Sequence, residues 1–357
     1  MVIYYFTLFC AIFLGLLNDH YNKCYIKCKD SAENLNIFSA IFILIIVSIS
    51  ALRYNVGADY GQYVWNFDWY INTELTLNDW KREPGIVVLA QFFNLFCHDA
   101  YLYVSFLSVV TLITFLTIIN KVSSTSWLSF SLFILLGVWA STFNGVRQYL
   151  ASAIIFFGYR FVLNAKLKYW CIIVFFASLF HMTAWVILPI YFFVRRKADL
   201  KQILLCICVS IILLSFYSVV WGLVETLKGD INENSEYASH GVNIFRVLSS
   251  WIPSVIYVCF RNKNIPLSST DNMFINMSVL NAALMTIASN SAYLGRVCIY
   301  TNVFNTISIP IIINNVRIKN KNILRVILFI FYFIFWIYSL KVSVALDYHS
   351  LFELWNY

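Results

Sequence analysis

The sequence has 357 residues, 61% hydrophobic and 12% charged, with a formal net charge of +8 and a mean hydropathy of +0.75. A soluble domain carries about 25% charged residues, so too few polar side chains are present to cover a water-exposed surface, and a water-soluble fold is excluded. Nucleic-acid binding is excluded too, because the basic residues sit in short loops between apolar runs rather than on one face.

Taken in chain order, apolar runs fall near 2–17, 36–52, 98–120, 127–144, 147–164, 168–180, 182–194, 202–222, 247–260, 272–290, 296–314 and 325–345. A membrane helix needs about 17–25 mostly apolar residues. The runs predict an all-α polytopic membrane protein with about twelve transmembrane helices. The stretch Ile86 to Cys97 is shorter and reads as a re-entrant or interfacial half-helix. Five prolines and eleven glycines favour long unbroken helices. The first run, Val2 to Leu17, lacks a basic leader and a small-residue cleavage site, so it is expected to stay as a helix.

Orientation follows from the bias of Lys and Arg towards cytoplasmic loops. With loop 18–35 inside, alternate loops place 17 of the 25 basic residues in the cytoplasm. The outer residues are Arg53, Lys81, Arg82, Arg147, Lys228, Arg246, Arg296 and Lys341. Both termini are then outside. If 86–97 spanned, Arg195, Arg196 and Lys197 would face outward, against the bias. Two outer loops are long, about 53–85 and 223–246. No soluble domain or internal repeat interrupts the chain, so residues 1–357 read as a single transmembrane bundle. The nine cysteines are scattered. Cys24 and Cys28 share a basic loop, and no second pair accompanies them, so they read as inert thiols in a reducing compartment.

The candidate chemistry lies at the outer helix ends. Arg53 closes the second run, followed by Gly57, Asp59 and Tyr60. Glu83-Pro84-Gly85 precedes the half-helix. Phe143-Asn144-Gly145 leads into Arg147-Gln148, and Phe180-His181 separates two short runs. Arg246 and Arg296 each begin a run. A guanidinium near hydrocarbon costs a few kcal/mol unless paired or hydrated, so several at one level imply a wet pocket. Arg also grips phosphate oxygens in bidentate fashion. The pattern suits a phosphorylated, hydroxyl-rich ligand at the lipid surface. Each residue also has a plainer reading. A lone Arg at a helix end is a snorkelling anchor. Glu83 favours a helix N-terminus, and Asp59 suits a turn. His181 could be a packed histidine, and the Tyr and Trp residues of 60–80 an interfacial belt. No His or Cys accompanies His181, so no metal is expected. Neither HExxH, GxSxG nor a Gly-rich phosphate loop occurs.

In order, these segments resemble the EpsG family of Wzy-type polysaccharide polymerases. They are Arg53-Tyr54-Asn55-Val56-Gly57-Ala58-Asp59-Tyr60, Glu83-Pro84-Gly85, Phe143-Asn144-Gly145-Val146-Arg147-Gln148 and Phe180-His181-Met182-Thr183-Ala184. Arg296 to Tyr300, with Pro310, is similar to the family's later part. Asp347 to Tyr357 lacks the proline of the family's C-terminal stretch, and no role is assigned to it.

The resemblance implies a multi-pass enzyme of the bacterial inner membrane, without a cofactor. It would transfer an undecaprenyl-diphosphate-linked glycan onto the nonreducing-end hydroxyl of a lipid-linked repeat unit, building O antigen, capsule or exopolysaccharide. A chain-length regulator protein and membrane lipid are the further partners. In that reading Arg53, Tyr60, Arg147, Gln148, Arg296 and Tyr300 bind substrate, and His181, Asp59 or Glu83 supplies the general base. The rivals are a flippase for lipid-linked sugars and an O-antigen ligase.

Overall fold

A computed structural model describes residues 1–26, 35–75, 83–216, 241–342 and 347–353. Most of the outer loop expected at 223–246 lies outside the described residues, as do Lys27, Cys28, Lys29, Lys81, Arg82 and Lys228. The described chain is almost entirely helical, with one two-residue strand pair. It divides into two compact units, Met1–Leu188 with Asn322–Tyr357, and Pro189–Lys321. Among the described residues, four helices are long and apolar enough to cross a membrane: Val2–Cys24, Ala100–Val122, Ser269–Asn290 and Lys321–Val342. A pair bent by 48°, Arg296–Asn302 with Asn305–Asn314, would make a fifth.

Several apolar runs are broken into shorter helices. Run 127–144 forms Ser126–Leu135 and Val138–Ser141, and run 147–164 forms Val146–Phe157 and Tyr159–Leu163. Run 182–194 is a 3-10 turn, Met182–Ile187, followed after Pro189 by Ile190–Val194. Hydropathy sums over such breaks, which is why the sequence reads each run as one rod.

In the first unit, α1 (Val2–Ile26) continues past its apolar run. Its polar end is tied down: Asn18 donates to Ser126 Oγ at 2.7 Å. Asp19 accepts from the Ser126 and Trp127 amides at 2.7 and 3.2 Å. A carboxylate there satisfies two orphan donors at the start of the Ser126 helix. Asn36 caps α2 (Ile37–Ala51) through Phe38 N and Ser39 N.

The outer stretch 53–85 was expected as a loop, but a 13-residue helix, α3 (Tyr60–Asn72), occupies much of it. Tyr60, Tyr63, Phe67 and Tyr70 form its buried face, while Trp65 and Trp69 are exposed. This is ordinary helical spacing, concealed in the sequence because both faces carry aromatics. Next comes α4 (Pro84–Asn94), whose 11 residues reach about 16 Å at 1.5 Å per residue. That is too short for a hydrocarbon core of about 30 Å. α5 (Ala100–Val122) is one of the long helices and packs against α2 and α3.

The second unit is built around the buried helix Ser269–Ile287, which packs with Leu200–Ser215, Ile244–Phe260 and Asn305–Asn314. Ser268 and Asp271 close its start as a capping box. Asn276 donates to Val194 O and Arg196 O at 3.2 and 2.7 Å, holding the Ile190–Val194 turn.

Candidate functional site

Three separate segments of the first unit meet at one carboxylate. Glu83 stands just before α4 with φ 60° and ψ 61°, a left-handed conformation that costs a non-glycine residue about 1–3 kcal/mol. Its Oε2 accepts from Arg147 Nη1 at 2.8 Å, and its Oε1 from the Met182 amide at 3.1 Å. His181 Nδ1 lies 3.8 Å from the same Oε1. The Glu83 and His181 side chains are 15% and 16% exposed and that of Arg147 33%, so the cluster is largely withdrawn from water but open at the arginine.

Close backbone approach sets this geometry. The Gly85 amide donates to Leu179 O at 2.8 Å. A Cβ at Gly85 would lie 2.8 Å from that same carbonyl oxygen, so only glycine lets α4 touch the chain leading to His181. Tyr63 of α3 lies beneath Arg147, its ring centroid 6.0 Å from Arg147 Cζ. Burial pushes the Tyr63 phenol up, opposed by the neighbouring Arg147 charge, so Tyr63 is neutral and available as a hydrogen-bonding partner.

Asp59 joins the neighbouring loops. Its Oδ2 accepts from Gly145 N at 3.0 Å, and Asn144 Oδ1 accepts from Ala58 N at 2.6 Å. Gly57, at φ +105°, sits where a Cβ would be 2.4 Å from Phe143 O. The segments 57–59 and 143–145 therefore clasp one another immediately before Arg147.

Arg53 is 1% exposed and faces protein. Its Nη1 donates to Ser50 O and to Ser108 Oγ, both at 2.6 Å. Its guanidinium lies over the rings of Phe143 and Tyr60, at 5.0 and 5.6 Å. Burial lowers its pKa to about 10, which leaves it charged at neutral pH. This side chain closes α2. The last carbonyls of α2 are each satisfied: Ser48 O by Leu52 N, Ile49 O by Tyr348 Oη, Ser50 O by Arg53, and Ala51 O by Ser105 Oγ. A cation at that negative helix end is electrostatically favourable. Tyr60, 2% exposed, donates to Arg53 O at 3.2 Å.

The C-terminal residues, unassigned by sequence, cover Arg53. Strand β1 (Arg53–Tyr54) pairs antiparallel with β2 (His349–Ser350) in register Arg53↔Ser350 and Tyr54↔His349. Leu351 N donates to Leu52 O at 2.8 Å. Such a pairing across nearly the whole chain leaves no local signal.

The structure thus brings Glu83, Arg147, Gln148 and His181 together and places Asp59, Tyr60 and Arg53 beside them. Gln148 is buried and donates to Thr183 Oγ1 at 3.4 Å. Arg296 and Tyr300 belong to the second unit, where Arg296 is exposed at the start of a 3-10 turn and Tyr300 is 0% exposed. Sequence reasoning missed Tyr63 and Thr183 as site residues. The Tyr60–Tyr63–Phe67–Tyr70 spacing signals the first, and a hydroxyl two residues after His181 the second. No group of three metal-binding side chains occurs among the described residues.

A family model for EpsG matches residues 36–357. The chain belongs to the EpsG family. That span contains every residue of the cluster built around Glu83. EpsG proteins are associated with polysaccharide polymerase-like membrane proteins, and this EpsG chain has the apolar helical architecture of a multi-pass membrane protein. No curated protein and no solved structure matches it.

Proposed function

We propose that this EpsG-family chain is a membrane glycosyltransferase that polymerises lipid-linked repeat units at the outer face of the bacterial inner membrane. The donor is a glycan on undecaprenyl diphosphate, and the acceptor is the nonreducing-end hydroxyl of a second lipid-linked unit. The topology that goes with this reading has about twelve spans, with α4 as a half-helix and both termini outside. The product is an O antigen, capsule or exopolysaccharide, and a chain-length regulator is the expected protein partner.

One observation carries the reading: Arg147, Glu83 and His181 come from three distant segments and converge in a largely buried cluster. In the transfer, the acceptor oxygen attacks the anomeric carbon and the bond to the diphosphate breaks. The diphosphate leaves with the electron pair, and the hydroxyl proton passes to a base. Arg147 balances the charge developing on the diphosphate, while Glu83 holds its guanidinium in place. His181, Asp59 and Glu83 are the groups able to take the proton. Arg53, buried beneath β2, supports the site by fixing α2 against α3.

The test is the glycan length profile of a deletion strain, with and without the protein restored. Single-repeat product that lengthens on restoration supports the polymerase. Loss of repeat flipping would make the chain a transporter, and long unattached glycan would make it a ligase.

A further inference from the structure

His181 caps the 3-10 turn that follows it with its own ring. The Thr183 backbone amide donates to His181 Nδ1 at 3.4 Å. A backbone N–H can only donate, so Nδ1 presents its lone pair there. The Thr183 hydroxyl lies 2.8 Å from the same nitrogen. With Nδ1 accepting, that contact is a bond donated by the Thr183 hydroxyl, whose oxygen in turn accepts from the Gln148 side-chain amide at 3.4 Å. Gln148 is 3% exposed and is fixed on the buried face of the Val146–Phe157 helix. Glu83 stands 3.8 Å from Nδ1, too far to accept a hydrogen bond from it, and its Oε1 is already engaged by Met182 N.

An imidazole that accepts at Nδ1 carries its hydrogen on Nε2. Protonating the ring leaves Nε2–H in place. We infer that Gln148 and Thr183 are positioning residues that lock His181 as the Nε2–H tautomer, so that His181 serves the reaction as a hydrogen-bond donor to the departing diphosphate and not as the base. This rests on the transferase reading given above and deepens it. The acceptor hydroxyl proton then goes to a carboxylate, Asp59 or Glu83. The His181 Nε2–H shares the leaving group's charge with Arg147 and keeps its proton throughout. No other reactant is needed.

The tautomer is measured directly. The full-length protein is labelled with 15N-histidine, and the His181 signals are identified by comparison with His181→Gln. Above the ring's titration, Nδ1 should resonate as the unprotonated nitrogen and Nε2 as the protonated one. The reverse pattern would overturn the inference, and either result stands whatever reaction the protein catalyses. Thr183→Ser should keep the Nε2–H signature and chain extension. Thr183→Val should weaken the tautomer bias and lower kcat with little change in KM. His181→Gln, which retains an N–H donor but no base, should extend chains at least 10-fold faster than His181→Ala. Equal activities in those two variants would remove the donor role.

Discussion

Glu83 joins Arg147 to the His181 turn with a single carboxylate. One oxygen accepts from Arg147 Nη1 at 2.8 Å and the other from the Met182 amide at 3.1 Å. The two partners lie 64 and 99 residues away in sequence. The residue making both contacts is held in a left-handed backbone conformation immediately before a proline.

Glu83→Gln should therefore disturb two segments at once. Removing one partner of a part-buried ion pair costs about 1–3 kcal/mol, below the cost of a fully buried pair because Arg147 is one-third exposed. The variant should lose most chain extension and unfold at a lower temperature. Full activity with an unchanged Tm would show that the pair has no role in the site.

Gly57→Ala places a Cβ 2.4 Å from Phe143 O at a backbone φ of +105°. Both effects oppose the clasp between 57–59 and 143–145, at a combined cost of about 2–4 kcal/mol. The expected outcome is reduced Tm and reduced protein level, measured on the purified chain and in membranes. Gly61→Ala, where a Cβ meets nothing within 4 Å, is the matched control on the same stretch and should behave as wild type.

Arg53→Met retains bulk but leaves Ser50 O without its donor at the negative end of α2. A buried carbonyl left unpaired costs about 1–3 kcal/mol. The free energy of unfolding should fall by that amount, read as a lowered Tm. Ser108→Ala should cost less, because Arg53 keeps its bond to Ser50 O.

The tail over Arg53 should loosen in acid. Glu353 is exposed, and its carboxyl is held below the usual carboxylate value by the Ser350 amide and then by His349. A depressed folded-state pKa stabilises the docked tail above the ordinary carboxylate pKa. That contribution disappears as pH falls through the lowered value. Hydrogen exchange at Ser350 N, corrected for intrinsic rate, should speed up on acidification below about pH 4. Glu353→Gln should abolish that dependence.

Much of this arrangement was legible in the sequence, and the rest had identifiable reasons for being hidden. Arg53, Asp59, Glu83, Arg147 and His181 stood out because charge is scarce in an apolar chain, and the first unit gathers them into one neighbourhood. Their pairing was not legible, because nothing local ties Glu83 to an arginine on a different helix. Arg53 read as a ligand for substrate, yet it caps α2, since the strand covering it comes from residues 349–350. The helix Tyr60–Asn72 read as a loop because Trp65 and Trp69 on its exposed face blur the apolar period. The run at 182–194 read as one helix because hydropathy does not register the ring of His181 capping a 3-10 turn or the break at Pro189.

The most direct test of the transferase reading uses the purified full-length protein in liposomes, supplied with a synthetic undecaprenyl-diphosphate-linked repeat unit. The account predicts a ladder of lengthened lipid-linked glycans, one undecaprenyl diphosphate released per linkage, and at least a 100-fold slower reaction in Arg147→Ala. Unextended single repeats from folded wild-type protein, or an Arg147→Ala ladder equal to wild type, would contradict it.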